Sequence, residues 1–67
     1  MDQSVDIDYT NWKGVRSIRR INPNIIYWGS NEYHLEPQWL LAAWDVKKDA
    51  PRDFAMKDVH SWTPVKE

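Results

Sequence analysis

The chain alternates from its start. In Ser4–Tyr9, the apolar residues Val5, Ile7 and Tyr9 are separated by Asp6 and Asp8. Successive side chains of an extended backbone point to opposite faces, so this spacing predicts a strand with one buried and one wet face. Thr10-Asn11-Trp12-Lys13-Gly14 then breaks the alternation with Asn and Gly, which tolerate tight turns. The turn joins the first strand, as a hairpin, to the β-rich stretch Val15–Trp28 with Ile18, Ile21, Ile25, Ile26 and Tyr27. Asn22-Pro23-Asn24 interrupts that stretch. Proline donates nothing to a ladder, so Pro23 marks an edge, a bend or a bulge. The simplest reading is one strand that bends there and continues, and long bent strands let a small sheet close into a barrel.

Gly29-Ser30-Asn31 reads as a turn and Glu32–Pro37 as a loop. Gln38–Val46 contains the longest apolar run, Trp39–Trp44, apolar on both faces as in a central strand. Leu and Ala also favour helix, but six residues bounded by Pro37 and the turn region Asp45–Pro51 fit a strand by length. Lys47–Pro51 reads as a hairpin loop, and Arg52–Met56 as a short strand with Phe54 and Met56 on one face. Lys57-Asp58-Val59 reads as a single helical turn, Val59–Trp62 as the last strand and Thr63–Glu67 as a frayed tail. The pattern predicts an all-β domain, a small five-stranded barrel of the SH3 or Sm type with a bent second strand and one short helical turn. One domain covers 1–67, with its core over about 4–62.

Composition sharpens this picture. A chain of 67 residues sits near the lower limit of independent stability. It has no cysteine, hence no disulfide and no thiolate chemistry, so packing or self-association must stabilise it. Five Trp, three Tyr and one Phe supply the packing material. Most of the Trp are expected in the core. Trp12, in a turn, is expected outside, and Trp12 and Trp28 are the candidate interface residues.

Nine Lys plus Arg against ten Asp plus Glu leave a net charge of -1, which argues against a general polyanion binder. The distribution is uneven: Lys13, Arg16, Arg19 and Arg20 fall within eight residues with no acid among them. Such a strip suits a small anion even in a near-neutral chain. The acidic start MDQSVDID has no apolar segment of a secretory leader, and no run is long enough to span a bilayer. The expectation is a cytoplasmic protein with no membrane partner.

Tyr9, a turn with Gly14, Arg20-Ile21-x-Pro23, Trp39-Leu40-Leu41 and Arg52-x-Phe54-x-Met56-x-Asp58-Val59 follow one another in an order that resembles the WYL domain. The resemblance covers residues 9 to 59. It implies an Sm-like five-stranded barrel that senses a ligand, often a nucleic acid or nucleotide, usually attached to a helix-turn-helix or a defence or helicase protein. Leu40 stands where the family's name motif has tyrosine, and Ala55 where an arginine is common. No DNA-reading domain accompanies the barrel in these residues, so a sensor or sequestering role is expected rather than a repressor. The segment Gly29–Leu41 is also similar to a G-S-x-E-x-H-x-E-P-Q-W-L-L stretch in small free-standing proteins of bacteria and phages.

Three groups of residues carry candidate chemistry. Lys13, Arg16, Arg19 and Arg20 in the strip, with Arg52, offer cationic donors for phosphate oxygens, and a guanidinium does so in a bidentate fork; the alternative is edge-strand charge that prevents aggregation. Arg16 and Arg20 share one face of the strand and Arg19 takes the other. Arg20 and Arg52 match arginines of the WYL pattern and could line one pocket, or pair with Asp45 or Asp53 instead. Tyr27, Trp28, Tyr33 and Trp44 could stack on bases, with Tyr27 and Trp44 chosen for the ligand site. Glu32-x-His34-x-Glu36, with His60 as the other imidazole, has the residue types of a zinc or manganese site, but a hydrogen-bonded loop histidine explains it better. No Ser-His-Asp or Cys-His arrangement and no Gly-rich phosphate loop is present.

The expectation is therefore a non-enzymatic module without cofactor or metal that binds a nucleotide or short oligonucleotide. The alternative is an interaction domain that homo-oligomerises or docks on a larger protein partner. A metal-dependent hydrolase built on His34 is a distant third.

Overall fold

The computed structural model describes residues 3–66. Five strands, β1 (Val5–Thr10), β2 (Arg16–Gly29), β3 (Gln38–Asp45), β4 (Ala50–Ala55) and β5 (Val59–Pro64), form one antiparallel sheet in the order β4-β3-β2-β1-β5. A 3-10 turn, η1 (Met56–Asp58), links β4 to β5. The two ends of the sheet are not hydrogen-bonded to each other as strands.

β1 follows its alternation: Val5, Ile7 and Tyr9 are buried, while Asp6, Asp8 and Thr10 are half-exposed. β2 is 14 residues long and serves two neighbours. Its first part pairs with β1, from Arg16 opposite Thr10 to Ile21 opposite Val5, and its second part with β3, from Ile21 opposite Asp45 to Gly29 opposite Gln38. The register slips between Pro23 and Ile25. Asn24 is the extra residue there, a β-bulge placed where proline removes a donor. The bend expected at Pro23 is thus a bulge centred one residue later.

Gln38–Asp45 is a strand, and it reads as one because its buried positions answer to partners on both sides: Leu41 lies between Ile26 and Phe54, and Leu40 between Tyr27 and Ala55. Ala50 and Pro51, expected in the preceding loop, belong to β4. β5 runs two residues beyond Trp62, and the Val65 amide donates to the Ser4 carbonyl at 2.9 Å. Pro51 and Pro64 both lie on the outermost strands, where a missing N–H costs no ladder bond.

The turns are closed by side-chain amides. The Asn11 Oδ1 accepts from the amides of Lys13 and Val15, both at 2.9 Å, and Gly14 takes φ +84. Asn31 does the same for the β2–β3 loop, accepting from the amides of Tyr33 and His34.

The core is small. Val5, Ile7, Tyr9, Ile21, Leu41, Ala43 and Phe54 form its buried cluster, with Met56 and Val59 packed against it. The expectation that most tryptophans are core is corrected: Trp12, Trp28, Trp39, Trp44 and Trp62 are all exposed, from 42% to 62%. Five aliphatic side chains and the single rings of Tyr9 and Phe54 fill the interior instead. Tyr9 reaches from β1 to the end of β4. Its ring meets Phe54 edge-on at 4.9 Å, and its hydroxyl accepts from the Ala55 amide at 3.1 Å.

Candidate functional site

The basic strip divides by face. Arg16 and Arg20 point outward from β2, where Asp6 stands opposite Arg20 on β1 and Asp8 lies diagonal to Arg16, beside its partner Thr10. Arg20 grips Asp6 through Nε at 2.9 Å and Nη2 at 3.1 Å, and Arg16 grips Asp8 through Nε and Nη2, both at 2.9 Å. These hydrogen bonds hold both carboxyls below the usual aspartate range and both guanidiniums above theirs. The fork that would fit a phosphate already holds a carboxylate. Arg20 pairs with Asp6, not with Asp45 or Asp53. Arg19, on the inner face, reaches the buried Asp45 at 3.5 Å.

A groove of about 990 Å³ opens away from Arg16 and Arg20, bounded by the β1–β2 turn, the β2–β3 loop and β3–β4. Lys13, Lys48 and Arg52 line it beside Arg19, which is already paired with Asp45. Among the described residues no carboxylate lies within ion-pair distance of any of the three. Trp12, Tyr33 and Trp44 are its aromatic walls and Tyr9 and Phe54 are also in its lining. Trp12 packs on Tyr33 with ring centroids 6.0 Å apart, and the Lys13 ammonium sits 5.3 Å from the Trp12 ring. Glu32 and Asp53 are the acids of the lining.

Of the residues expected at a ligand site, Lys13, Arg52 and Trp44 therefore share the groove, together with Trp12, whose exposure was expected. Arg16, Arg20 and Tyr27 do not line it. Tyr27 lies under partial cover next to Asp53, and desolvation first and that carboxylate second raise its phenol pKa. Trp28 packs edge-on against Trp39 at 5.4 Å, away from the groove.

Lys48 and Asn24 were missed. Lys48 lies three residues after Asp45, the end of β3, whose carboxylate accepts from the Lys48 amide at 3.1 Å and fixes the turn. That signal, an Asp opening a polar turn, was present in the chain. Asn24 lines the groove from the bulge, and only the slip in register reveals it.

Glu32 and His34 line the groove and Glu36 does not. Among the described residues no group of three or more His, Cys, Asp or Glu is placed to hold a metal ion. His34 is fixed through its backbone, its amide donating to Asn31. His60 is also apart, its Nε2 2.7 Å from the Thr10 hydroxyl. No helix is long and apolar enough to cross a membrane among the described residues. Compared with protein-family models, curated proteins and solved structures, the chain matches none.

Proposed function

We propose that this chain is a non-enzymatic binding module whose groove takes a nucleotide or a short single strand. The observation that carries the reading is the set Lys13, Lys48 and Arg52, without a carboxylate partner among the described residues, beside exposed Trp44 and the Trp12–Tyr33 pair. Cations left unpaired next to aromatic faces suit a ligand that is anionic at one end and flat at the other. Arg52 supplies the bidentate contact, the two lysines add charge, and Trp44 offers a ring to stack on. The site proposed here keeps Lys13, Arg52 and Trp44 from the sequence reading and replaces Arg16 and Arg20 with Lys48.

A barrel-like arrangement is part of this reading. Tyr9, by reaching from β1 to Ala55 at the end of β4, gives the open sheet a side-chain seam in place of a ladder. This reading is compatible with the WYL-like resemblance and with a sensor or sequestering role in the cytoplasm.

A thermal-shift screen against mononucleotides, cyclic dinucleotides and short single strands tests the proposal. A ligand at 100 times its Kd adds about 2.7 kcal/mol, a rise of several degrees for a domain this small. Arg52→Ala should abolish the shift and Arg16→Ala should keep it. A flat screen against all three classes, with the sheet intact by circular dichroism, refutes the proposal.

A further inference from the structure

The side of the molecule away from the groove carries an apolar surface that the groove does not use. Trp28 meets Trp39 edge-on. Ile26 lies two residues before Trp28 on the same face of β2 and opposite Leu41. Ile26 in turn lines a hollow of about 440 Å³ with Met56, Val59, His60, Ser61 and Trp62. The patch is therefore continuous from Trp39 through Trp28 and Ile26 to Trp62. Trp28 is 60% exposed, Trp39 55%, Ile26 49% and Trp62 42%. None of these residues is charged.

We propose that this face packs against the same face of a second copy of the chain, forming a two-fold dimer. Two observations select a second copy. The first is area. At roughly 150–250 Å² for a whole aromatic side chain, these exposures leave about 400 Å² of apolar surface per copy. A standard interface takes about 800 Å² per partner, of which about 65% is apolar in homodimers, so the patch supplies most of the apolar part. The second is charge. Trp28, Trp39, Ile26 and Trp62 carry no charge, so they meet their own copies without repulsion, and a net charge of -1 adds little at long range.

The dimer also answers a deficit of the monomer. The buried cluster holds only seven residues, little for a chain without disulfides. Covering Trp28, Trp39 and Trp62 would add apolar burial that the single copy lacks. The groove, lined by none of these residues, stays open in the dimer.

Sedimentation velocity of the full chain from micromolar to submillimolar concentration tests this, with Trp28→Glu and, as an uncharged second variant, Trp39→Gln. Trp12→Glu, on the other side, is the control. The wild type and Trp12→Glu should sediment as dimers. Trp28→Glu and Trp39→Gln should raise the dimer dissociation constant roughly thirtyfold or more, the effect of losing a buried aromatic anchor, with unchanged circular dichroism. A wild type that stays monomeric over the whole range overturns the proposal. So does a dimer that survives both Trp28→Glu and Trp39→Gln, because its interface then lies elsewhere. If Trp28→Glu loses its sheet signal, Trp39→Gln decides alone.

Discussion

Removing one oxygen from Tyr9 tests the seam of the sheet. Tyr9 is 4% exposed, its ring is packed on Phe54, and its hydroxyl is the acceptor for the Ala55 amide at 3.1 Å. Ala55 is itself fully buried, and it ends β4 where the chain turns into η1. Tyr9→Phe keeps the ring and the apolar burial and deletes only the acceptor. The Ala55 amide is then left buried without a partner, which costs about 1–3 kcal/mol. For a domain of this size each kcal/mol moves Tm by about 4–8 °C, so the expected fall is about 4 to 24 °C.

Urea denaturation monitored by circular dichroism measures it, with the midpoint falling and the slope unchanged. The alkaline limb adds a second readout. Burial above all raises the Tyr9 phenol pKa over its ordinary value of 10.0, while the Ala55 amide opposes the shift. The folded state therefore holds the phenol proton more tightly than the unfolded chain does. Its contribution is complete below about pH 10 and is lost as pH rises beyond that. Wild-type stability should decline through this range, and the Tyr9→Phe decline should be shallower. A Tyr9→Phe protein within about 0.3 kcal/mol of wild type, far less than an orphaned buried amide costs, would refute the seam.

Two further predictions follow from the turns and the outer face. Gly14 takes φ +84, and a Cβ placed there would meet no atom within 4 Å. Gly14→Ala should therefore lower stability by about 1–2 kcal/mol through backbone strain alone, and an unchanged urea midpoint would contradict this. The Asp6 and Asp8 carboxyls are held low mainly by hydrogen bonds from Arg20 and Arg16. Their folded pKa lies below the unfolded one, so their contribution is present above about pH 4 and is lost as pH falls below it. Acid titration of the urea midpoint should show this loss in the wild type, and the double variant Asp6→Asn/Asp8→Asn should show less of it. Equal acid slopes would count against the paired geometry.

The strand pattern was legible because it rests on local rules. The alternation of Val5, Ile7 and Tyr9, the Asn11–Gly14 turn and the bound Trp39–Trp44 run each settle their own element, and η1 emerges where the chain after Phe54 loses its alternation. What stayed hidden depends on neighbours. Nothing in Arg16 or Arg20 says that β1 would place Asp8 and Asp6 within 3 Å of them; the pairing register decides it. The same register exposes Asn24, and the β3–β4 turn brings Lys48 to the groove. The tryptophans misled for a related reason. Hydrophobicity alone assigns them to a core, but Ile7, Ile21 and Leu41, with the rings of Tyr9 and Phe54, occupy the interior of this sheet.

The most direct test of the groove is an NMR titration that follows the five indole N–H signals as a nucleotide is added, since the tryptophans divide between the two faces. The account predicts that the Trp12 and Trp44 signals move in a saturable way, that Arg52→Ala abolishes the movement, and that Trp28, Trp39 and Trp62 stay where they are. Movement of Trp28, Trp39 or Trp62 with Trp12 and Trp44 unmoved would contradict it and place binding on the other face.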